Sequence, residues 1–222
     1  MRGIFVTGTG TGVGKSVVAA VAARALASAG EDVAVFKPAL TGTDDPGEPD
    51  HELLLRAAGS AQSDDEIAPY RFGPAVSPHL AADLSGRRVE ARVLVEAARR
   101  AGGGGRVLVC EGVGGLLVPL TRGYLVRDFA LELGLAIAVV ASPGLGTINH
   151  TLLTLESARA VGLHVACVVL TPWPDQPDVI ERDNAATIEA LGDVSVERLP
   201  RVDLARPESW PGLPEVISAV RA

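Results

Sequence analysis

The 222-residue chain predicts a three-layer α/β/α fold built on a mostly parallel sheet. Three observations predict it. Short, valine-rich apolar runs recur without polar alternation, as strands covered on both faces require. Alanine-rich helical stretches separate those runs, the alternation that builds α/β layers. The first run also passes directly into a glycine-rich segment that opens a helix.

The strands are expected at residues 3–7, Val33-Ala34-Val35-Phe36, Val107-Leu108-Val109-Cys110, Ala136-Ile137-Ala138-Val139-Val140 and Val165-Ala166-Cys167-Val168-Val169-Leu170. Helices are expected near 15–29, 50–58, 89–101, 147–161, 178–191 and 212–221. The acidic stretch from Thr41 to Asp50 contains Pro46, Gly47 and Pro49 and reads as a loop. Gly102 to Gly105 form a flexible surface turn, and the proline-rich piece 172–177 is a further loop. No internal repeat or shift in composition divides the chain, so residues 1–222 are read as a single nucleotide-binding domain.

Composition narrows the function. A formal net charge of −7 argues against a general nucleic-acid binder, which needs a basic face. Cys110 and Cys167 both sit in apolar runs and read as small core residues, with nothing to suggest an oxidising compartment. No apolar stretch reaches the roughly 18 residues of a membrane span, and no targeting segment precedes the glycine loop. A cytoplasmic protein is expected.

The glycine-rich segment is Gly8-Thr9-Gly10-Thr11-Gly12-Val13-Gly14-Lys15-Ser16. Its glycines let backbone N–H groups turn around an anion, and the following helix N-terminus adds partial positive charge. Lys15 is placed to reach terminal phosphates and Ser16 to ligate magnesium. A strict phosphate loop would need glycine at Thr9; here Gly8 stands one place early, so the loop is a lengthened variant. The glycine spacing does not suit a dinucleotide fold, in which Lys15 would have no task. The fold expected is that of the phosphate-loop nucleoside triphosphate hydrolases.

Ligands in such sheets bind beyond the carboxyl ends of the strands. After the second strand stands Lys37, either a surface lysine or a group that neutralises charge on a transferring phosphoryl group. Thr41 nearby either donates to the same ligand or starts a turn. After the third comes Glu111, followed by Gly112-Val113-Gly114-Gly115; the acid either completes a magnesium site with Ser16 or caps a turn, and the glycines permit close backbone approach. Asp50, before His51-Glu52-Leu53, is an N-cap or a metal ligand, with Asp44, Asp45 and Glu48 as neighbouring acids. After the fourth strand, Ser142-Pro143-Gly144-Leu145-Gly146-Thr147-Ile148-Asn149-His150 leads into a helix whose start can hold a carboxylate or phosphate. His150 in that first turn reads as structural.

Together these motifs resemble the dethiobiotin synthetase family over nearly the whole chain. The resemblance rests on the loop at 8–16, Lys-Pro-Ala-Leu-Thr-Gly at 37–42, Tyr70-Arg71-Phe72 with Ser77-Pro78-His79, the ten residues 111–120, and Gly146-Thr147-Ile148-Asn149-His150-Thr151-Leu152-Leu153-Thr154. It implies an ATP-dependent cyclo-ligase of biotin biosynthesis. In the family's reaction, carbon dioxide adds to one amine of 7,8-diaminononanoate, the carbamate takes the γ-phosphoryl group of ATP, and the second amine closes the ureido ring. Such chemistry asks mainly for positioning and charge neutralisation.

The resemblance implies Lys15 and Lys37 as catalytic, and Ser16, Asp50 and Glu111 as magnesium ligands. It implies that nucleotide is held by residues 12–17 (Gly12, Val13, Gly14, Lys15, Ser16, Val17), by Asp50, by Glu111-Gly112-Val113-Gly114, by Thr171-Pro172 and by Pro200-Arg201-Val202. Substrate would meet Thr11 and Thr41, and its carboxylate would be received by Leu145, Gly146, Thr147 and Asn149 of a partner subunit in a homodimer. No nucleic acid or membrane partner is implied.

The chain departs from the family pattern at two places. Gly12 stands where many relatives carry an acid, and Leu170-Thr171-Pro172-Trp173 lacks the asparagine that reads the adenine edge. A hydroxyl is a poorer bidentate reader of a base than an amide. Rival readings are an amide-forming ligase such as a cobyrinic acid diamide synthase, whose glutaminase domain 222 residues would not accommodate, and a partition-type ATPase switch, which has a lysine early in the loop where Thr9 and Gly10 stand here.

Overall fold

Six parallel strands with helices on both faces form the centre of the computed structural model, which describes residues 1–45 and 49–221. Pro46, Gly47 and Glu48 of the expected acidic loop lie outside the described residues, as does Ala222. In chain order the first elements are β1 (Gly3–Gly8), α1 (Lys15–Ser28), β2 (Val33–Phe36), β3 (Leu40–Thr41), α2 (Asp50–Ala58), α3 (Asp64–Ile67), β4 (Arg71–Phe72), α4 (Pro78–Leu84) and α5 (Ala91–Ala101). There follow β5 (Val107–Glu111), β6 (Pro119–Thr121), β7 (Tyr124–Leu125), α6 (Val126–Leu133), β8 (Ala136–Ala141) and α7 (Thr147–Arg159). The chain ends with β9 (Val165–Trp173), α8 (Val179–Gly192), β10 (Val196–Pro200) and α9 (Pro214–Arg221).

The sheet order is β10-β9-β8-β1-β5-β2, with β3–β4 and β6–β7 as separate two-stranded ladders. Strict side-chain alternation divides the core in two. Ile4 and Val6, Val33 and Val35, Val107 and Val109 face a layer of α1, α2 and α9, in contact with Val18, Leu54 and Val216. Phe5, Phe36 and Leu108 face the opposite layer, where Leu94, Phe129, Leu155 and Ile188 come from α5 to α8. Phe129 gathers that side, with Phe5 edge-on at 5.9 Å and Phe36 at 6.1 Å between ring centroids. Cys110 and Cys167 belong to opposite layers and are free thiols, as their apolar surroundings implied.

Two expectations are corrected. The fifth strand runs on through Thr171, Pro172 and Trp173, so the loop expected from 172 begins only after Trp173. A sixth strand, β10, extends the sheet beyond β9. It is an edge strand whose Val-Glu-Arg-Leu-Pro sequence carries two adjacent charged residues, and it therefore lacks the continuous apolar signal of the other five. At the other edge, Gln62 pairs with Val35 as a strand would: Val35 N donates to Gln62 Oε1 at 2.8 Å and Gln62 Nε2 donates to Val35 O at 3.1 Å.

Candidate active site

β1 lies between β5 and β8, the point at which successive connections change sides, and the crevice beyond its carboxyl end is where a ligand binds in such sheets. The register explains the lengthened loop. Gly8 still pairs with Val140, and Thr9 N donates to Val140 O at 2.9 Å, so the turn proper starts at Thr9. A Cβ on Gly8 would come within 2.8 Å of Val13 Cγ2 and 3.0 Å of Val140 O, which only glycine avoids. Gly14 (φ 97°) then sets the left-handed turn from which α1 begins at Lys15.

Three elements converge on one cluster. Lys37, directly beyond β2, has its backbone N–H bonded to Ile67 O at 2.8 Å, so α3 fixes where its side chain starts. Lys37 Nζ lies 2.5 Å from Asp50 Oδ2 at the first turn of α2, and 2.6 Å from Glu111 Oε1 at the end of β5. Ser16 Oγ donates to the same Glu111 Oε1 at 2.9 Å. Lys15 Nζ turns back to donate to Gly10 O at 2.7 Å.

The electrostatics follow from burial. Burial pulls the Lys37 ammonium down, but Glu111 and Asp50 more than offset this and hold it above its ordinary value. Burial pulls Lys15 down, and Glu111 only partly restores it. Burial pushes Glu111 up, with Lys37 opposing and Asp50 adding to the rise. Burial acts upward on Asp50 too, yet Lys37 and a hydrogen bond from Ser16 leave it below its usual range.

These side chains open on a cavity of about 760 Å³. Thr11, Gly12, Gly14, Lys15, Ser16, Val17, Lys37, Thr41, Asp50 and Glu111 to Gly114, all candidates from the sequence, line it. Thr41 is brought there by the parallel pairing of β3 with β4. The wall also includes Asp45, Leu53, Ala75 to Pro78, Val118 and Leu204. Of these the Ser77-Pro78 pair carried a sequence signal through its motif, whereas Leu204 arrives from beyond β10 and carried none.

The remaining candidates stand outside this cavity. Val13 packs against the core on the α1 side, as does Val202. Thr171 is only 3% exposed, with its methyl group against the glycine loop. Pro172 is exposed in the last turn of β9, and Pro200 and Arg201 close β10. Leu145, Gly146 and Asn149 are exposed at the start of α7, while Thr147 is buried beside Thr151. That turn is anchored by a residue the sequence did not single out: Asn184 Nδ2 of α8 donates to Pro143 O at 2.8 Å and Gly144 O at 3.1 Å. Among the described residues no helix is long and apolar enough to cross a membrane.

A family model described as an AAA domain matches residues 2–207. An ATP-dependent dethiobiotin synthetase of Anaeromyxobacter dehalogenans (strain 2CP-1) is 47% identical over 192 residues, 86% of each chain. The protein of the same name from Mycobacterium avium (strain 104) is 42% identical over 197 residues, covering 87% of this chain and 85% of its own. That from Bacillus licheniformis is 37% identical over 210 residues, covering 93% and 89%. Among solved structures, a ParA family ATPase from Chlorobium tepidum superposes with a TM-score of 0.57 at 12% identity, covering 99% of this chain and 97% of its own. The cell division ATPase MinD of Pyrococcus furiosus does so with 0.56 at 18%, covering 100% and 98%. At such low identity these two share the fold alone.

Proposed function

We propose a division of labour among the site residues of this chain, which belongs to the ATP-dependent dethiobiotin synthetase family. It is an ATP-dependent ligase of dethiobiotin synthesis. The observation that carries the assignment of roles is the convergence of Ser16, Lys37, Asp50 and Glu111 beside the glycine loop.

Backbone N–H groups of residues 12–16 cradle the nucleotide phosphates, and Lys15 leaves Gly10 O to meet their terminal oxygens. Lys37 neutralises charge on the carbamate and on the phosphoryl group as it passes between them. Thr11 and Thr41 position the diamine so that the second amine reaches the activated carbamate carbon. Phosphate leaves as the ring closes.

Ser16, Asp50 and Glu111 suit a magnesium ion. All are oxygen donors, and Glu111 Oε2 is buried without a hydrogen-bond partner. Among the described residues no three His, Cys, Asp or Glu side chains gather as a metal site. Two carboxylates and a hydroxyl leave room for phosphate and water oxygens, the way magnesium is bound beside nucleotides. When bound, the ion would supply charge neutralisation to the transferring phosphoryl group.

The substrate carboxylate is received by Leu145 to Asn149 of a second copy. In support, this turn is exposed, lies outside the chain's own cavity and presents Leu145 at 94% exposure. Two buried free thiols suit a reducing compartment, here the cytoplasm. The test is ATP hydrolysis measured with and without diaminononanoate and bicarbonate. Hydrolysis should require both; indifference to both overturns this reading in favour of a nucleotide switch.

A further inference from the structure

We propose that Lys37 is a built-in counter-ion that competes with the divalent cation for the same two oxygens, so that the lysine is released to the phosphates only as the cation binds. The inference rests on reading Ser16, Asp50 and Glu111 as metal ligands.

Geometry makes the two occupancies exclusive. The Lys37 ammonium contacts Asp50 Oδ2 and Glu111 Oε1 at 2.5 and 2.6 Å, and Ser16 Oγ is directed at that same Glu111 oxygen. The three ligands thus converge on the space that the ammonium fills. Glu111 Oε2 is the one buried oxygen of the cluster without a partner. Ser16 Oγ is bonded to Glu111 Oε1 and not to that oxygen. A cation held jointly by Ser16, Asp50 and Glu111 therefore meets the Glu111 oxygen that Lys37 holds and displaces the ammonium from it.

Charge gives the exchange its purpose. Glu111 is almost wholly buried, and two carboxylates facing one another there need a cation between them. Lys37 supplies one and keeps the ligands assembled. Lys15 does not substitute, because its ammonium is directed to Gly10 O. Lys37 also lines the cavity, so an ammonium freed from Asp50 and Glu111 swings on its flexible stem towards bound phosphate. The lysine that neutralises the phosphoryl group thus comes into play only with the metal in place, which discourages phosphoryl transfer from metal-free nucleotide.

The test is Mn2+ binding to the full chain without nucleotide, read by electron paramagnetic resonance of the free ion. Lys37→Met should bind Mn2+ at least about tenfold more tightly than the parent, because the competitor is gone while both carboxylates remain. Equal or weaker binding overturns the exchange. Asp50→Asn and Glu111→Gln, titrated with Mn2+ and a non-hydrolysable ATP analogue, separate the premise from the inference. If both leave Mn2+ affinity unchanged, the metal site itself is misassigned and the proposal goes with it. If they weaken it while Lys37→Met fails to tighten it, the exchange alone is wrong. Should Lys37→Met not fold, 15N-lysine spectra of the parent, with the Lys37 signal assigned through Lys37→Arg, answer the question. That ammonium signal should move when magnesium and the analogue are added to saturation, and an unmoved signal overturns the exchange.

Discussion

The side-chain methyl of Thr171, near the end of β9, lies so close to Gly14 that a Cβ built on Gly14 would stand 2.8 Å from it. The end of β9 is thereby wedged against the turn that starts α1. Gly14→Ala should fail twice: it places a side chain at φ 97°, and it drives that side chain into Thr171. A loss of about 1–3 kcal/mol is expected from the backbone alone. Gly14→Ala with Thr171→Ser relieves the clash but not the strain, so thermal melts should show partial recovery. Full recovery would show that the backbone term is negligible.

The same contact bears on nucleotide choice. With Thr171 3% exposed and turned to Gly14, its hydroxyl is a weak reader of a base edge. On the proposal that the base lies against Pro200 to Val202, its recognition falls to backbone groups, which discriminate little. We expect kcat/KM for ATP, CTP and GTP at subsaturating concentrations to lie within about tenfold of one another, since no fitted side-chain pair enforces the larger ratios. A preference for ATP of several hundredfold would refute this.

Lys37→Ala should lower turnover by about 10²-fold or more, the usual cost of removing a preorganised charge from a transition state. Circular dichroism should show the fold intact. Turnover within a few-fold of the parent would mean that Lys37 serves only to hold the carboxylates. Glu111→Gln should raise the magnesium concentration needed for half-maximal rate; an unaltered titration removes Glu111 from the metal site.

How far the sequence reaches depends on how each residue is held. The five strands β1, β2, β5, β8 and β9 are covered on both faces, and continuous apolar runs reveal them. β10 is hidden because Glu197 and Arg198 serve the edge: Glu197 Oε1 accepts from Glu215 N at the start of α9, and Arg198 lies over Trp173. α4 is short, at 7 residues, too few to show a helical period. Lys15, Ser16 and Lys37 stand out in the sequence because each directly follows a strand or its loop, and Glu111 because it closes the apolar run of β5. Asp50 was not separable from its acidic neighbours, since only the packing of α2 brings it across 13 residues to Lys37. Asn184 and Leu204 come from distant elements with no local signature at all.

The second-copy proposal makes Leu145 an interface residue. Leu145 is 94% exposed and Leu153, further along α7, is 56% exposed. A charge placed there should disturb association without touching the chain's own core. Leu145→Asp is expected to halve the mass measured by sedimentation and to cut dethiobiotin formation by about tenfold or more, leaving the melting temperature of the monomer's core nearly unchanged. Full activity with an unchanged mass would place the carboxylate site elsewhere.

The cluster of Lys37, Asp50 and Glu111 gives a pH dependence of definite sign. Lys37 is held above its ordinary value of 10.5, so its contribution is present below that value and is lost as pH rises through the higher folded one. Asp50 is held below its ordinary 3.8, so its contribution is present above that value and is lost as pH falls through the lower folded one. Glu111 is raised and acts in the opposite sense, costing stability once ionised. Between the ordinary values of Asp50 and Lys37 the parent should therefore depend on this cluster chiefly through Glu111, whose raised value makes stability fall as pH rises above 4.5. In Lys37→Met the two carboxylates face each other uncompensated, both are pushed up, and stability should return as pH falls and one takes up a proton. The gap in melting temperature between parent and variant should thus be several degrees smaller at pH 5 than at pH 8. A gap that is constant, or that widens towards acid, would mean that Asp50 and Glu111 are not electrostatically joined through Lys37.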